Sequence, residues 1–290
     1  MLNSFEEKLL RKGRSFWEWP ASFGKQAIHY IEQGEGEKHI LLLHGFASHT
    51  YTWRYQIPFL AAEGYHVWAL DYMGHGLSDK PAISYQFKHF LELIKSFMQA
   101  QGISKVHAIG NSMGGSLALA LAANYPQMVC SLTLLDAVAY PFNMPFIAHV
   151  GKIGGKLLFP FINETAIRLF LRQIVSDPSH ITQEQVQAYL LPFHLKGGKE
   201  ALIEMIKHFD FQTMMQLYRR FSLVVQPLLV IWGKDDAFIP LSHFHRFGED
   251  FPYAQSQLIA QAGHIPQEEQ PKRVNEILGE FLNSCNKGLP

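Results

Sequence analysis

Gly110-Asn111-Ser112-Met113-Gly114 sets a serine between two glycines, directly after the apolar run 106–109 and directly before an Ala- and Leu-rich stretch over 112–124. A serine placed where a strand hands over to a helix exposes its hydroxyl at the strand's C-terminal end. Small residues flank it because a strained turn leaves no room for larger ones. The helix that follows aims its N-terminal dipole and first N–H groups at the serine, where negative charge would develop. The chemistry open to such a serine is attack on a carbonyl carbon, giving an acyl intermediate that water then cleaves. The plainer reading of the same five residues is a Gly-rich turn that packs tightly.

A serine hydroxyl needs a base, and the base needs an acid to orient it. The chain has 15 histidines, so setting has to choose among them. His264 lies in Gln261-Ala262-Gly263-His264-Ile265-Pro266, a Gly/Pro loop between a run ending at Ile259 and a last helical stretch, 273–282. A base is expected on such a loop, after both nucleophile and acid in chain order. For the acid, the run 228–232 leads into Gly233-Lys234-Asp235-Asp236, with Pro240 close behind. Adjacent side chains at a strand end point in different directions, so only one of Asp235 and Asp236 can reach His264. Asp136, which ends the run 132–135, is a third candidate. The aspartates that lose are expected to be solvated loop residues or helix caps. Gly74-His75-Gly76 reads as a structural turn. His243 and His245 form an H-x-H pair with no third ligand at suitable spacing, so no metal site is expected.

These residues need a scaffold. Short apolar runs at 40–43, 67–70, 106–110, 132–135, 228–232 and 257–259 suggest buried parallel strands, several ending in His, Asp or Gly. Between them, 85–101 places Phe87, Phe90, Leu91, Ile94 and Phe97 at helical spacing, and 112–124 stops at Tyr125-Pro126, where a helix is expected to end. Strands alternating with helices predict an α/β fold: a mostly parallel sheet with helices on both faces. The alternation breaks over 141–226, which reads as short helices separated by Pro and Gly. That stretch holds nine of the 22 Phe and four of the nine Met. The expected organisation is a core of 1–140 and 227–290 with a helical cap over 141–226. The cap's Phe and Met either face an apolar ligand or pack the cap onto the core.

Lys+Arg and Asp+Glu number 25 each in 290 residues, so no basic field exists to hold a phosphate backbone, and nucleic acid is not an expected partner. Two cysteines give neither a disulfide framework nor a zinc spacing; Cys130 is expected to be a buried strand residue. The N-terminal stretch is charged throughout and has no signal-peptide core, and no run approaches the length of a membrane span. A soluble cytoplasmic protein without cofactor or metal is the expectation, its oligomeric state open.

The motifs together resemble the α/β-hydrolase superfamily: His44-Gly45-Phe46 with Trp53, the stretch from Asp71 to Asp79, the Gly110–Gly115 elbow, Gly233-x-x-Asp236-x-x-x-Pro240, and Gly263-His264, in the family's order. The resemblance implies a triad of Ser112, Asp236 and His264, since the family's acid stands three residues after the strand-end glycine. It implies an oxyanion hole made by the backbone N–H groups of Phe46 and Met113, with His44 buttressing that loop. Serine at the elbow disfavours the dehalogenase and epoxide-hydrolase branches, which use aspartate there. What remains is a serine esterase acting on small or medium-chain apolar acyl groups. The alternatives are a C–C bond hydrolase acting on a vinylogous diketone, which shares Gly-Asn-Ser-Met-Gly-Gly, and a slow-turnover ligand receptor of the same fold.

Overall fold

Apolar residues at every position of a strand bury both its faces, and the strands of this chain obey that rule in the middle of one sheet. The computed structural model describes residues 15–141, 162–208 and 221–287. Eight strands run β1 (Ser15–Ala21), β2 (Gly24–Gln33), β3 (His39–Leu43), β4 (His66–Leu70), β5 (Val106–Asn111), β6 (Val129–Leu135), β7 (Leu228–Gly233) and β8 (Gln255–Ile259). Their order across the sheet is β1-β2-β4-β3-β5-β6-β7-β8. Pairings from β4 through β8 are parallel, while β1 and β2 join antiparallel. In β3, Leu41 and Leu43 enter one hydrophobic cluster and Ile40 and Leu42 the other, the period of two that separates the faces of a sheet.

The sheet's first two strands were not visible as apolar runs. β1 alternates half-buried and exposed positions apart from the buried Trp19, β2 is exposed at both ends with Ile28 and His29 buried, and the two close through Ser22-Phe23 into a hairpin whose Gly24 has φ 111°. Pro20 is tolerated because β1 is an edge strand. Cys130 lies in β6 as expected, yet it is only partly buried, between the buried Val129 and Ser131 near the strand's start.

Helices cover both faces. α1 (Gln56–Ala62) and α2 (Phe87–Ala100) are followed by α3 (Met113–Asn124), in which every residue but the last is buried. A helix apolar on all sides belongs in the interior, and this one packs against β3, β5 and β6. Between β6 and β7 lie α4 (Glu164–Ile174), α5 (Gln183–His194) and α6 (Gly198–His208). Side chains at Asn163 and Thr182 accept the third N–H of α4 and α5, as good N-caps do. A third cluster gathers Ile167, Leu171, Ile174, Val186, Tyr189 and Phe193 over Tyr51 and Ile265. Phe193 and Met205 are buried in clusters and Phe170 and Phe221 pack against them, so these four serve packing. The other Phe and Met of 141–226 lie outside the described residues. α7 (Leu241–Asp250), the short α8 (Pro266–Glu269) and α9 (Pro271–Asn286) complete the chain. No described helix is long and apolar enough to cross a membrane.

Candidate active site

β5 runs straight into Ser112, and α3 begins at the next residue. Ser112 adopts φ 54°, ψ −118°, a backbone state that costs an L residue on the order of 1–3 kcal/mol. Its neighbours hold it there. The Ser112 N–H donates to the Leu135 carbonyl at 2.9 Å, and its own carbonyl accepts from Gly115 at 3.0 Å and Val138 at 3.2 Å. A Cβ on Gly110 would overlap the Gly114 carbonyl, and one on Gly114 would overlap the Leu43 carbonyl. Both glycines of the motif are therefore required for strand and helix to approach this closely.

The base candidate stands on the loop after β8. His264 Nδ1 lies 2.9 Å from Asp236 Oδ2, and both side chains are almost fully buried. The other oxygen of Asp236 accepts from the N–H groups of Phe238 at 2.7 Å and Ile239 at 3.0 Å. A carboxylate with three donors aimed at it is an acceptor, so His264 carries its proton on Nδ1 and keeps a lone pair on Nε2. Phe238 packs against the imidazole with ring centres 4.9 Å apart. The Asn111 side chain ties elbow to base loop, donating to the carbonyls of His264 at 3.0 Å and Leu135 at 3.2 Å.

The other two aspartates part ways. Asp235 is exposed and accepts from Ser176 Oγ at 2.7 Å, with no hydrogen bond to His264. Asp136 was expected to be solvated or a cap if it was not the acid, and the structure corrects this: it is fully buried, with φ 44°, beside Asp236. Its Oδ1 accepts the Gly233 N–H at 2.9 Å. Burial first, and then the charge of Asp236, push its carboxyl well above the usual range. Two carboxylates this close cannot both ionise cheaply, so Asp136 is the neutral partner. The side-chain atoms of Asp136, Asp236 and His264 lie within 4.8 Å of one another, and among the described residues no other group of three could hold a metal ion. With Asp236 already taken by three N–H donors and Asp136 neutral, the group suits the orienting of an imidazole better than the holding of a cation. His243 instead packs on the Tyr140 ring at 5.3 Å.

The loop after β3 carries the other half of the site. His44 is completely buried, donates from Nδ1 to the Gly45 carbonyl at 2.8 Å, and accepts the Tyr72 N–H on Nε2 at 3.3 Å. Burial lowers its pKa to about 4, so it is neutral and holds this tautomer. In a trans peptide the carbonyl and the following N–H point opposite ways. Fixing the Gly45 carbonyl on His44 therefore turns the Phe46 N–H to the other side of the peptide plane. A Cβ on Gly45 would lie 3.2 Å from Ser112 Cβ, which places this loop beside the elbow. Met113, the other oxyanion candidate, opens α3. His75 is buried, with Nδ1 3.3 Å from the Met73 carbonyl, in the structural setting its turn suggested.

Four polar residues near the site had no sequence signal that singled them out. Besides Asn111, His49 donates from Nε2 to the Ala188 carbonyl of α5 at 2.9 Å. Glu268 collects Thr52 Oγ1 at 2.7 Å, Tyr189 Oη at 2.5 Å, Arg54 at 2.5 Å and Gln185 Nε2 at 3.0 Å. Glu269 bonds the backbone on both sides of the base loop. For Glu268 and Glu269, the position just after His264 was the one available hint.

Residues 38–150 match the model of the alpha/beta hydrolase fold family. The dihydrolipoyllysine-residue acetyltransferase component of the acetoin cleaving system of Pseudomonas putida is 32% identical over 267 residues, 90% of this chain and 68% of that protein. A 2-hydroxy-6-oxononadienedioate/2-hydroxy-6-oxononatrienedioate hydrolase of Paraburkholderia xenovorans is 30% identical over 89% of this chain and 91% of its own length. Among solved structures, the meta-cleavage product hydrolase CumD of Pseudomonas fluorescens superposes with a TM-score of 0.75 at 27% identity, covering 89% of this chain and 95% of that one. With the strand order, the elbow and these relatives in agreement, the chain belongs to the α/β-hydrolase superfamily.

Proposed function

We propose that this hydrolase cleaves the carboxylic ester of a small or medium-chain apolar acyl group through an acyl-enzyme on Ser112. The observation that carries the reading is the strained Ser112 at the tip of β5, together with a buried His264–Asp236 pair whose tautomer leaves Nε2 free to accept a proton. Ser112 Oγ adds to the ester carbonyl and gives its proton to His264 Nε2. The N–H groups of Phe46 and Met113 take the oxyanion. Collapse of the adduct breaks the C–O bond, and the imidazolium returns the proton to the leaving alkoxide. Water, deprotonated by the same imidazole, then attacks the acyl-enzyme and releases the acid. Asp236 holds the imidazole in register and stabilises its transient charge, while Asp136 stays neutral behind it. Residues 141–226 act as a cap over this site, attached to the core of 1–140 and 227–290, and supply the acyl pocket. A small molecule is the partner; no cofactor takes part.

A second reading is favoured by the activities of the relatives from Paraburkholderia and Pseudomonas. The same serine and oxyanion hole would serve a vinylogous diketone, whose C–C bond breaks once the adduct has formed. A rate panel of p-nitrophenyl esters of rising acyl length, run beside a vinylogous diketone, decides between them. Ester cleavage predicts kcat/KM for the best ester at least about 10⁴ M⁻¹s⁻¹ and negligible turnover of the diketone. The reverse ranking transfers the assignment to C–C hydrolysis.

A further inference from the structure

The base candidate is held from outside the sheet. The His264 N–H donates 2.7 Å to the carbonyl of Ile174, the last residue of α4. One residue earlier, a Cβ on Gly263 would sit 2.5 Å from that same carbonyl and 3.0 Å from the Ser176 nitrogen. The base loop and the chain leaving α4 thus lie backbone against backbone, with no side chain between them. A single carboxylate spans the joint. Glu269 Oε1 accepts the Gly263 N–H at 2.8 Å, and Oε2 accepts the Ser176 N–H at 2.6 Å. Asp235, the aspartate that does not meet His264, ties the Ser176 hydroxyl from the sheet side.

We propose that Glu269 is a positioning residue for His264: by bridging Gly263 and Ser176 it makes the seating of α4 and the placement of the imidazole one event. This rests on the reading of Ser112 and His264 as nucleophile and base. The chemistry of the bridge is specific. Both partners are backbone N–H donors, so both oxygens must be acceptors. A glutamine of the same shape puts an NH2 group against one of the two N–H groups, which repels where the carboxylate attracts. If α4 is displaced, the Ile174 carbonyl leaves His264 as well, and the imidazole loses its alignment on Ser112. The oxyanion loop feels the same helical region through His49 and the Ala188 carbonyl. Both halves of the site are therefore assembled against it.

The test compares wild type, Glu269→Gln and Glu269→Asp at about pH 8, well above the ordinary carboxylate range. Two rates are measured: ester turnover, and phosphonylation of Ser112 by a fluorophosphonate, which needs the base but no acyl pocket. Glu269→Gln should lower kcat and the phosphonylation rate together by about 10–100-fold, with KM within about twofold, since misplacement and not binding is at fault. Glu269→Asp, shorter by one methylene but still a double acceptor, should fall between. A Glu269→Gln protein that melts lower yet phosphonylates within twofold of wild type would make Glu269 a stability residue and overturn the proposal. If the glutamine variant does not fold, the aspartate variant is held to the same criterion. A wild-type protein that phosphonylates but turns over no ester refutes the ester assignment and leaves this test readable. One that does neither removes the base reading and this proposal with it.

Discussion

Replacing Asp236 by asparagine isolates what the acid does, because the structure leaves the new side chain little choice of orientation. The Phe238 and Ile239 N–H groups, at 2.7 and 3.0 Å, require an acceptor on one side, so the amide oxygen stays there. The amide NH2 must then face His264 Nδ1 at about the present 2.9 Å. Nδ1 can only answer by accepting, which moves the imidazole proton to Nε2 and leaves no base for Ser112. The geometry survives while the tautomer is wrong, and kcat should fall by about 10⁴-fold, about 5.5 kcal/mol of transition-state stabilisation. Asp136→Asn is the matched control: a neutral carboxyl accepting from Gly233 gives way to a neutral amide that can do the same, and kcat should stay within about threefold. The assay is steady-state turnover of whichever substrate leads the panel, with circular dichroism to confirm folding. An Asp236→Asn enzyme keeping a tenth of wild-type kcat, or an Asp136→Asn enzyme as impaired as Asp236→Asn, would place the acid after β6 and refute this account.

Ser112→Ala should remove turnover by about 10³-fold or more with the fold intact, measured by the same assay and by loss of fluorophosphonate labelling. Gly114→Ala should destabilise by about 2 kcal/mol or more in urea titration, because its methyl would meet the Leu43 carbonyl, a backbone atom with nowhere to go. Asp71 is fully buried; burial alone would raise its carboxyl, but the His29 imidazole, with the Thr50 and Leu77 N–H groups, holds it well below the ordinary 3.8. Its stabilisation is complete above that value and is lost as pH falls toward the lower folded value. Asp71→Asn should thus flatten the loss of stability between about pH 5 and pH 3. If the cap supplies an acyl pocket, kcat/KM should rise from acetate by up to about 0.8 kcal/mol per buried CH2 before falling; a series that peaks at acetate indicates a small pocket.

Sequence made the centre of the sheet legible because β3 to β7 are apolar on both faces, and a continuous run is hard to mistake. It hid β1 and β2, whose half-exposed residues carry Glu18, Lys25 and Glu32 among the aromatics, and the first two residues of β8, a strand four of whose five residues are exposed. The three triad candidates could be picked out since each sits at a turn whose glycine or proline is itself a signal. Asp136 could not be told from a surface aspartate, because neutrality there comes from a neighbour a hundred positions away. Glu268, Glu269, His49 and Asn111 act through partners equally remote, among them backbone groups that no side-chain pattern encodes.

β6 and β7 lie side by side, with Leu135 paired to Ile231, although residues 136–227 intervene between Leu135 and Leu228. In chain-entropy terms that excursion is a loop whose two ends the sheet has already brought together. Doubling a loop's length adds only about 0.6 kcal/mol to its closure, less than the loss of one buried methylene. The closure entropy of the scaffold is thus almost indifferent to the length of what is inserted there. Insertions of different length and composition can be exchanged while the strands, and the groups at their ends, stay where they are. Among the described residues, bonds that reach from the insertion to His49, Asp235, His264, Glu268 and Glu269 restrict which replacements would leave the machinery aligned.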